Sequence, residues 1–223
     1  MFIPLRDENP TRHLPVLTVI LIAANVVVFV YQVLSPATLP YFVLRMGTIP
    51  YEITHFTSYD GYPVDRISPL LALFASMFLH GSVLHLLGNM LYLWIFGNNV
   101  EDFLGPARFL FFYLVSGLAA AATHIVFNPN STVPMIGASG AIAGVLGAYF
   151  VLYPGARVQT VVFLWVIPVP AAIILGLWFL GQILNVGIGG GVAWFAHIGG
   201  FLAGLILVRY VAKRRPSRPA IFG

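Results

Sequence analysis

A chain of 223 residues that is 59% hydrophobic and only 8% charged has too little polar surface to cover a water-soluble globule. The absence of cysteine excludes a disulfide framework, a thiolate metal site and a cysteine nucleophile, and leaves the formal charge of +4 to be explained by where the cations lie. The composition is that of an integral membrane protein.

A membrane helix needs about 20 mainly apolar residues, whereas a barrel strand needs about 9–11 alternating ones. The long apolar runs choose helices. Residues 1–15 are polar and proline-punctuated, and read as an N-terminal segment along the inner surface. The first run, Val16 to Leu34, follows Arg6, Asp7, Glu8 and Arg12 and precedes no small-residue cleavage pattern, so it is a retained helix rather than a signal peptide. Thr18 and Asn25 within it read as helix-packing contacts.

Residues 35–69 form an outer loop without helix periodicity, in which Tyr41, Phe42, Tyr51, Phe56, Tyr59 and Tyr62 alternate with Pro36, Pro40, Pro50 and Pro63. Its aromatic load predicts a folded segment partly sunk in the outer leaflet. The second helix, Ser82 to Phe96, places His85 and Asn89 four residues apart on one face, and should end near Gly97-Asn98-Asn99. His80, before it, reads as a structural or gating hydrogen-bond group. Glu101 and Asp102 follow at the inner boundary.

The third helix, Phe109 to Phe127, carries His124 near its outer end; His124, His13 and His55 read as interfacial. The fourth, Gly137 to Tyr153, opens with Ser139 between Gly137 and Gly140, and Gly140 with Gly144 bares a small-residue face. The fifth, Val158 to Leu184, contains Pro168 and Pro170, which should kink it. After the Gly187 to Gly191 connection, the sixth helix, Val192 to Tyr210, carries His197 one turn before a matching pair, Gly200 and Gly204. Residues 211–223 are a basic tail.

Six helices put both termini on one side, with Arg6, Arg12, Arg108, Arg157, Arg209, Lys213, Arg214, Arg215 and Arg218; the other side holds only Arg45 and Arg66. Positive residues collect on the cytoplasmic side. Both termini are therefore expected there, and the charge belongs to topology and anionic lipid heads, not to nucleic acid.

The second, fourth and sixth helices then all start at the outer face, which sets His85, Asn89, Ser139 and His197 at similar depth. Ionisable groups inside a span are costly and face a cavity or a partner. Two glycine faces would bring a hydroxyl to an imidazole, a nucleophile and its general base. Ser139, at a helix start, also has free backbone N–H groups that suit an oxyanion, to which Asn89 and His85 could add. No acid occurs in the fourth or sixth helix, so the expectation is a Ser–His dyad without a carboxylate. The chain lacks H-E-x-x-H, and no metal or other cofactor is expected.

These residues resemble the rhomboid intramembrane serine proteases. His85-Leu-Leu-Gly-Asn89 is similar to the family's H-x-x-x-N, Gly137-Ala-Ser139-Gly140 to its G-x-S-G, and Ala196-His197-Ile-Gly-Gly200-Phe-Leu-Ala-Gly204 to its A-H-x-x-G-x-x-x-G. The resemblance implies an all-α, six-transmembrane-helix rhomboid-like bundle over residues 16–210. It implies Ser139 as nucleophile and His197 as base, with Asn89, His85 and Gly137 on the oxyanion and substrate side. Gly140, Gly144, Gly200, Gly204 and Glu101 take structural roles, Glu101 through a contact such as Thr18.

Two positions depart from the family. Ala143 stands where many members carry an aromatic residue stacked on the catalytic histidine, so another residue must orient His197. A Trp-Arg pair found in some first loops is missing.

The expected function is a serine endopeptidase that cleaves transmembrane segments of membrane-protein substrates, in a prokaryotic plasma membrane. The competing reading is a rhomboid-like protein that binds transmembrane clients without cutting them, although inactive relatives lack the serine or the histidine. A transporter would show an internal repeat, and none is found.

Overall fold

The computed structural model describes residues 2–35, 37–61, 65–188 and 191–211. Strand β1 (Phe2–Asp7) precedes α1 (Val16–Leu34), the short α2 (Leu39–Met46) and α3 (Pro50–His55), and α4 (Pro69–Ala75) with a 3-10 turn. Next come α5 (Val83–Tyr92), a π-helical turn (Leu93–Gly97), α6 (Asn98–Leu104), α7 (Pro106–Phe127) and α8 (Ser139–Leu152). Strands β2 (Arg157–Val162) and β3 (Trp165–Pro170), then α9 (Ala171–Leu184) and α10 (Trp194–Val211), complete the order.

Among the described residues α1, α7 and α10 are long and apolar enough to cross a membrane, and a fourth span arises if Pro69–Phe78 and Val83–Leu104, bent by 81°, count as one. Helices α8 and α9 are apolar but only 14 residues each. That is a rise of about 21 Å against a hydrocarbon thickness of about 30 Å. By length alone, three or four of the six predicted spans are met among the described residues.

Helix α8 is the centre. Every residue from Ala141 to Tyr149 is buried, as a helix apolar on all faces requires, and α7 and α10 enclose it. On the α10 side the approach is backbone to backbone: a Cβ at Gly200 would land on the Gly140 carbonyl oxygen, and one at Gly204 on that of Gly144. In lipid, where apolar surface gains nothing by leaving the solvent, such close packing is what holds helices together.

The predicted fifth helix is corrected. Residues 157–170 form a hairpin, and β1 joins it in a three-stranded antiparallel sheet of order β1-β2-β3. Val158 and Thr160 are buried while Arg157 before them and Gln159 between them are not, a period of two. Pro168 and Pro170 lie in the edge strand β3, where a missing N–H is tolerated. Pro170 then stands at the N-cap of α9, so the prolines delay a helix instead of kinking one. The N-terminal segment contributes the strand β1 to this sheet.

Two further boundaries move. The second helix does not stop at Gly97, because the π-helical turn carries it into α6 and on to Glu101. The outer loop contains α2 and α3, each started by a proline in its first turn, Pro40 and Pro50. Pro36, Tyr62, Pro63, Gly189, Gly190, Lys213, Arg214, Arg215 and Arg218, with the tail from residue 212, lie outside the described residues.

The outer loop is tied to the chain that leads into Ser139. Thr48 and Met135 exchange backbone hydrogen bonds of 3.0 and 2.7 Å, and Thr48 Oγ1 donates to the Ala72 carbonyl at 3.0 Å. A buried ion pair joins Arg66 Nη2 to Glu52 Oε2 at 2.8 Å. It supplies an anchor in a loop that lacks the Trp-Arg pair.

Candidate active site

Ser139 is the first residue of α8. The turn before it requires Gly137, whose φ of +111° is a region that side chains avoid, and whose N–H donates to the Ser76 carbonyl at 2.8 Å. A Cβ there would also stand 2.7 Å from His85 Nε2 and 3.7 Å from Asn89 Nδ2, so both side chains crowd against this one glycine.

His197 lies in the first turn of α10, and its Nε2 is 2.8 Å from Ser139 Oγ. The glycine faces below make this possible, because α10 could not approach α8 if Gly200 or Gly204 carried a Cβ. The other ring nitrogen, Nδ1, is 2.7 Å from Gln182 Oε1 on α9. Trp178, one turn earlier on α9, sets its ring centroid 5.8 Å from that of His197 at 36°, and Trp194 stands edge-on at 6.2 Å and 89°. The resemblance expects an aromatic ring at residue 143; here Trp178 and Trp194 set rings beside His197 instead. Ala143 itself is fully buried, and a Cβ at Gly200 would stand 3.2 Å from its own Cβ.

Ser139, His197, His85, Asn89, His124 and Trp178 all line one cavity of about 680 Å³, a volume typical of ligand sites. Asn89 Nδ2 is 2.9 Å from Nε2 of the fully buried His80. The His80 backbone is in turn held by Gln32, which accepts its N–H at 3.2 Å. The His80 hydrogen bond expected from the sequence is therefore to Asn89. The His85 amide donates to Ser82 Oγ at 3.1 Å, capping the helix start.

His124, read from the sequence as interfacial, lines the cavity wall. His13 instead pairs with Asp102 at 2.6 Å, and the exposed His55 stacks on Tyr51 at 4.0 Å. Asn25 donates to the Leu21 carbonyl of its own helix at 2.7 Å.

Glu101 is remote from the cavity. It accepts from the Leu17 N–H at 2.8 Å, the Thr18 N–H at 2.7 Å and Thr18 Oγ1 at 2.8 Å, which satisfies the free donors at the start of α1.

Sequence reasoning missed Gln182 and Trp178. Gln182 did carry a signal, as the one polar side chain within the apolar run of α9.

A hydroxyl 2.8 Å from an imidazole nitrogen can lose its proton to that nitrogen while attacking a carbonyl. The first-turn N–H groups of α8 beside Ser139 have no intrahelical partner and sit at the positive end of the helix dipole, which suits a developing oxyanion.

A rhomboid domain family model matches residues 68–214. Rhomboid protein 1, mitochondrial, of Saccharomyces cerevisiae is 31% identical over 160 residues, covering 67% of this chain and 44% of that protein. Rhomboid protease GluP of Bacillus subtilis is 37% identical over 129 residues, covering 56% of this chain and 23% of GluP. Presenilin-associated rhomboid-like protein A, mitochondrial, of Danio rerio is 34% identical over 149 residues, 63% of this chain and 37% of that protein. The chain thus spans less than half the length of these relatives. A family match over most of the chain, set on a bundle of apolar helices, shows that this integral membrane protein belongs to the rhomboid family.

Proposed function

We propose that this chain is an intramembrane serine endopeptidase that cleaves transmembrane segments of membrane-protein substrates. The observation that carries the reading is the 2.8 Å approach of His197 Nε2 to Ser139 Oγ inside a cavity. Ser139 attacks the scissile carbonyl as His197 takes its proton, and His197 returns that proton to the leaving amine. The Ser139 N–H, Asn89 and His85 hold the oxyanion, while Gly137 leaves them room. Water admitted from the outer side hydrolyses the acyl-enzyme, and no metal or cofactor enters. The substrate helix must unwind locally, because its own hydrogen bonds shield the backbone in lipid.

In this reading six segments cross the bilayer over residues 16–210. The short α8 is enclosed by its neighbours and starts below the outer surface, which opens the cavity to water. Residues 35–69 lie outside, residues 1–15 and 211–223 are cytoplasmic, and the membrane is a prokaryotic plasma membrane. The name of the Bacillus subtilis relative, a rhomboid protease, supports the catalytic assignment.

The test is a fluorophosphonate probe on detergent-solubilised protein, comparing wild type with Ser139→Ala and His197→Ala. Labelling in the wild type and in neither variant is expected; labelling that persists in Ser139→Ala overturns the nucleophile. No labelling and no cleavage across a panel of transmembrane substrates would instead favour a client-binding protein. An outer-side reporter fused after Gly223 should be silent, and its activity would reverse the orientation.

A further inference from the structure

Resting on that reading, we infer that Gln182 is a positioning residue that turns the Ser139–His197 pair into a three-membered hydrogen-bonded chain with a neutral third member. The carboxamide of Gln182 has a fixed orientation. Its Nε2 donates to the Trp178 carbonyl at 3.0 Å, one turn back on α9, which leaves Oε1 to face His197 Nδ1 at 2.7 Å. Reversing the amide would set its oxygen against the Trp178 carbonyl oxygen, two acceptors with no proton between them.

An amide oxygen only accepts, so Nδ1 of His197 must carry a hydrogen. In the neutral ring the lone pair then lies on Nε2, the atom 2.8 Å from Ser139 Oγ. The other tautomer would face Gln182 with a lone pair. The amide therefore selects the basic nitrogen and aims it at the nucleophile. When the ring takes the Ser139 proton, Nδ1–H remains bonded to the amide oxygen, whose dipole favours the imidazolium, though less than a carboxylate would.

The position on the chain matters as well. Trp178 and Gln182 are four apart and share a face of α9, so one helix supplies both the acceptor for His197 and an indole beside its ring. Ser139 and His197 come from α8 and α10. The alignment of the base thus depends on a third helix, and Gln182 is buried where solvent does not replace it.

The experiment uses the full chain in detergent with Gln182→Met, which keeps the volume and removes the acceptor, and Gln182→Glu, which keeps the acceptor and adds charge. Gln182→Met should lower kcat and the fluorophosphonate labelling rate about 10- to 100-fold with KM within about twofold, the scale on which partners that orient a functional histidine act. Gln182→Glu should retain kcat within about tenfold and move the acid limb of the labelling-rate profile to higher pH, since a carboxylate stabilises the imidazolium. The other imidazoles on the cavity are His85 and His124; the shift should survive His124→Asn. Labelling of Gln182→Met within about twofold of wild type overturns the inference. So does an equal loss in both variants with the limb unmoved, the mark of a merely structural residue.

Nitrogen-15 spectra of the His197 ring decide the tautomer without any activity. A protonated Nδ1 and bare Nε2 in wild type, mixed in Gln182→Met, supports the assignment, and a protonated Nε2 in wild type overturns it. A wild type that is never labelled defeats the protease reading and leaves that spectrum to judge Gln182.

Discussion

The two ends of the bundle treat their polar groups in opposite ways. At the sheet end the acidic side chains tie segments together: Glu101 accepts three hydrogen bonds, Asp102 accepts from the Arg12 and His13 amides, and Asp7 accepts from Tyr149 and Asn99. At the cavity end the chain Gln182, His197, Ser139 is linear, and its terminal hydroxyl faces open volume. These bonds run between segments and hold them in place, away from the cavity. At the cavity end the polar atoms are aligned in one chain and leave a hydroxyl on open volume, as the proposed chemistry needs. Substitutions at one end should therefore cost activity, and at the other stability.

The sharpest separation comes from His197→Ala, which should lower kcat/KM by about 10⁴- to 10⁶-fold, with the thermal midpoint in detergent within a few degrees of wild type. Asn89→Ala should lower kcat by about 10²- to 10³-fold, the loss expected for one oxyanion donor if Asn89 acts as proposed. A small loss there would mean that its hydrogen bond to His80 is its main task. Gly204→Val should break the comparison by striking both ends at once. Its side chain collides with the Gly144 carbonyl, parts α10 from α8 and carries His197 away from Ser139. Loss of both the thermal transition and probe labelling is expected; full labelling would show that the close approach is dispensable.

Glu101→Ala is the converse. It leaves the Leu17 and Thr18 amides and the buried Thr18 hydroxyl without their acceptor. At about 1–3 kcal/mol for each unsatisfied buried group, a loss of about 3 kcal/mol or more should appear as a midpoint lowered by about 6–12 °C. Probe labelling of the molecules that remain folded should be unchanged.

This asymmetry also decides what could be read from the chain. Ser139, His197, His85 and Asn89 were legible because spacing within a helix and common depth in a membrane are one-dimensional facts, and a polar group in an apolar run stands out. The Glu101 contact to Thr18 came from the family resemblance rather than from spacing or depth. Gln182 stood out as well, but its partner is an imidazole on another helix, a rotation about α9 that spacing does not encode. The sheet was illegible for a different reason. Val158 to Pro170 is as apolar as a membrane helix, and an apolar strand between a central helix and a sheet edge has the same composition. Its prolines were the discriminating sign, since two of them within three residues fit an edge strand better than a helix interior.

The smallest expected effect lies in that sheet. Asp7, at the end of β1, accepts from Tyr149 Oη and Asn99 Nδ2 at 2.7 Å each, and so ties the N-terminal strand to α8 and α6. Burial holds its carboxyl above the usual 3.8, against the pull of the hydrogen bonds from Tyr149, its own backbone and Asn99. A raised value means that the native state binds the proton more tightly than the unfolded chain. The attachment of β1 should then be strongest below pH 3.8 and weaken as pH rises through the folded value, with no loss on the acid side. Asp7→Asn removes the titration while keeping an oxygen that accepts. The thermal midpoint of wild type should therefore fall relative to Asp7→Asn between pH 3.5 and pH 7, with probe labelling at pH 7 alike in both. A wild type that gains on the variant over that interval would mean that its hydrogen bonds, and not its burial, dominate the carboxyl, and that the sheet end is anchored by charge.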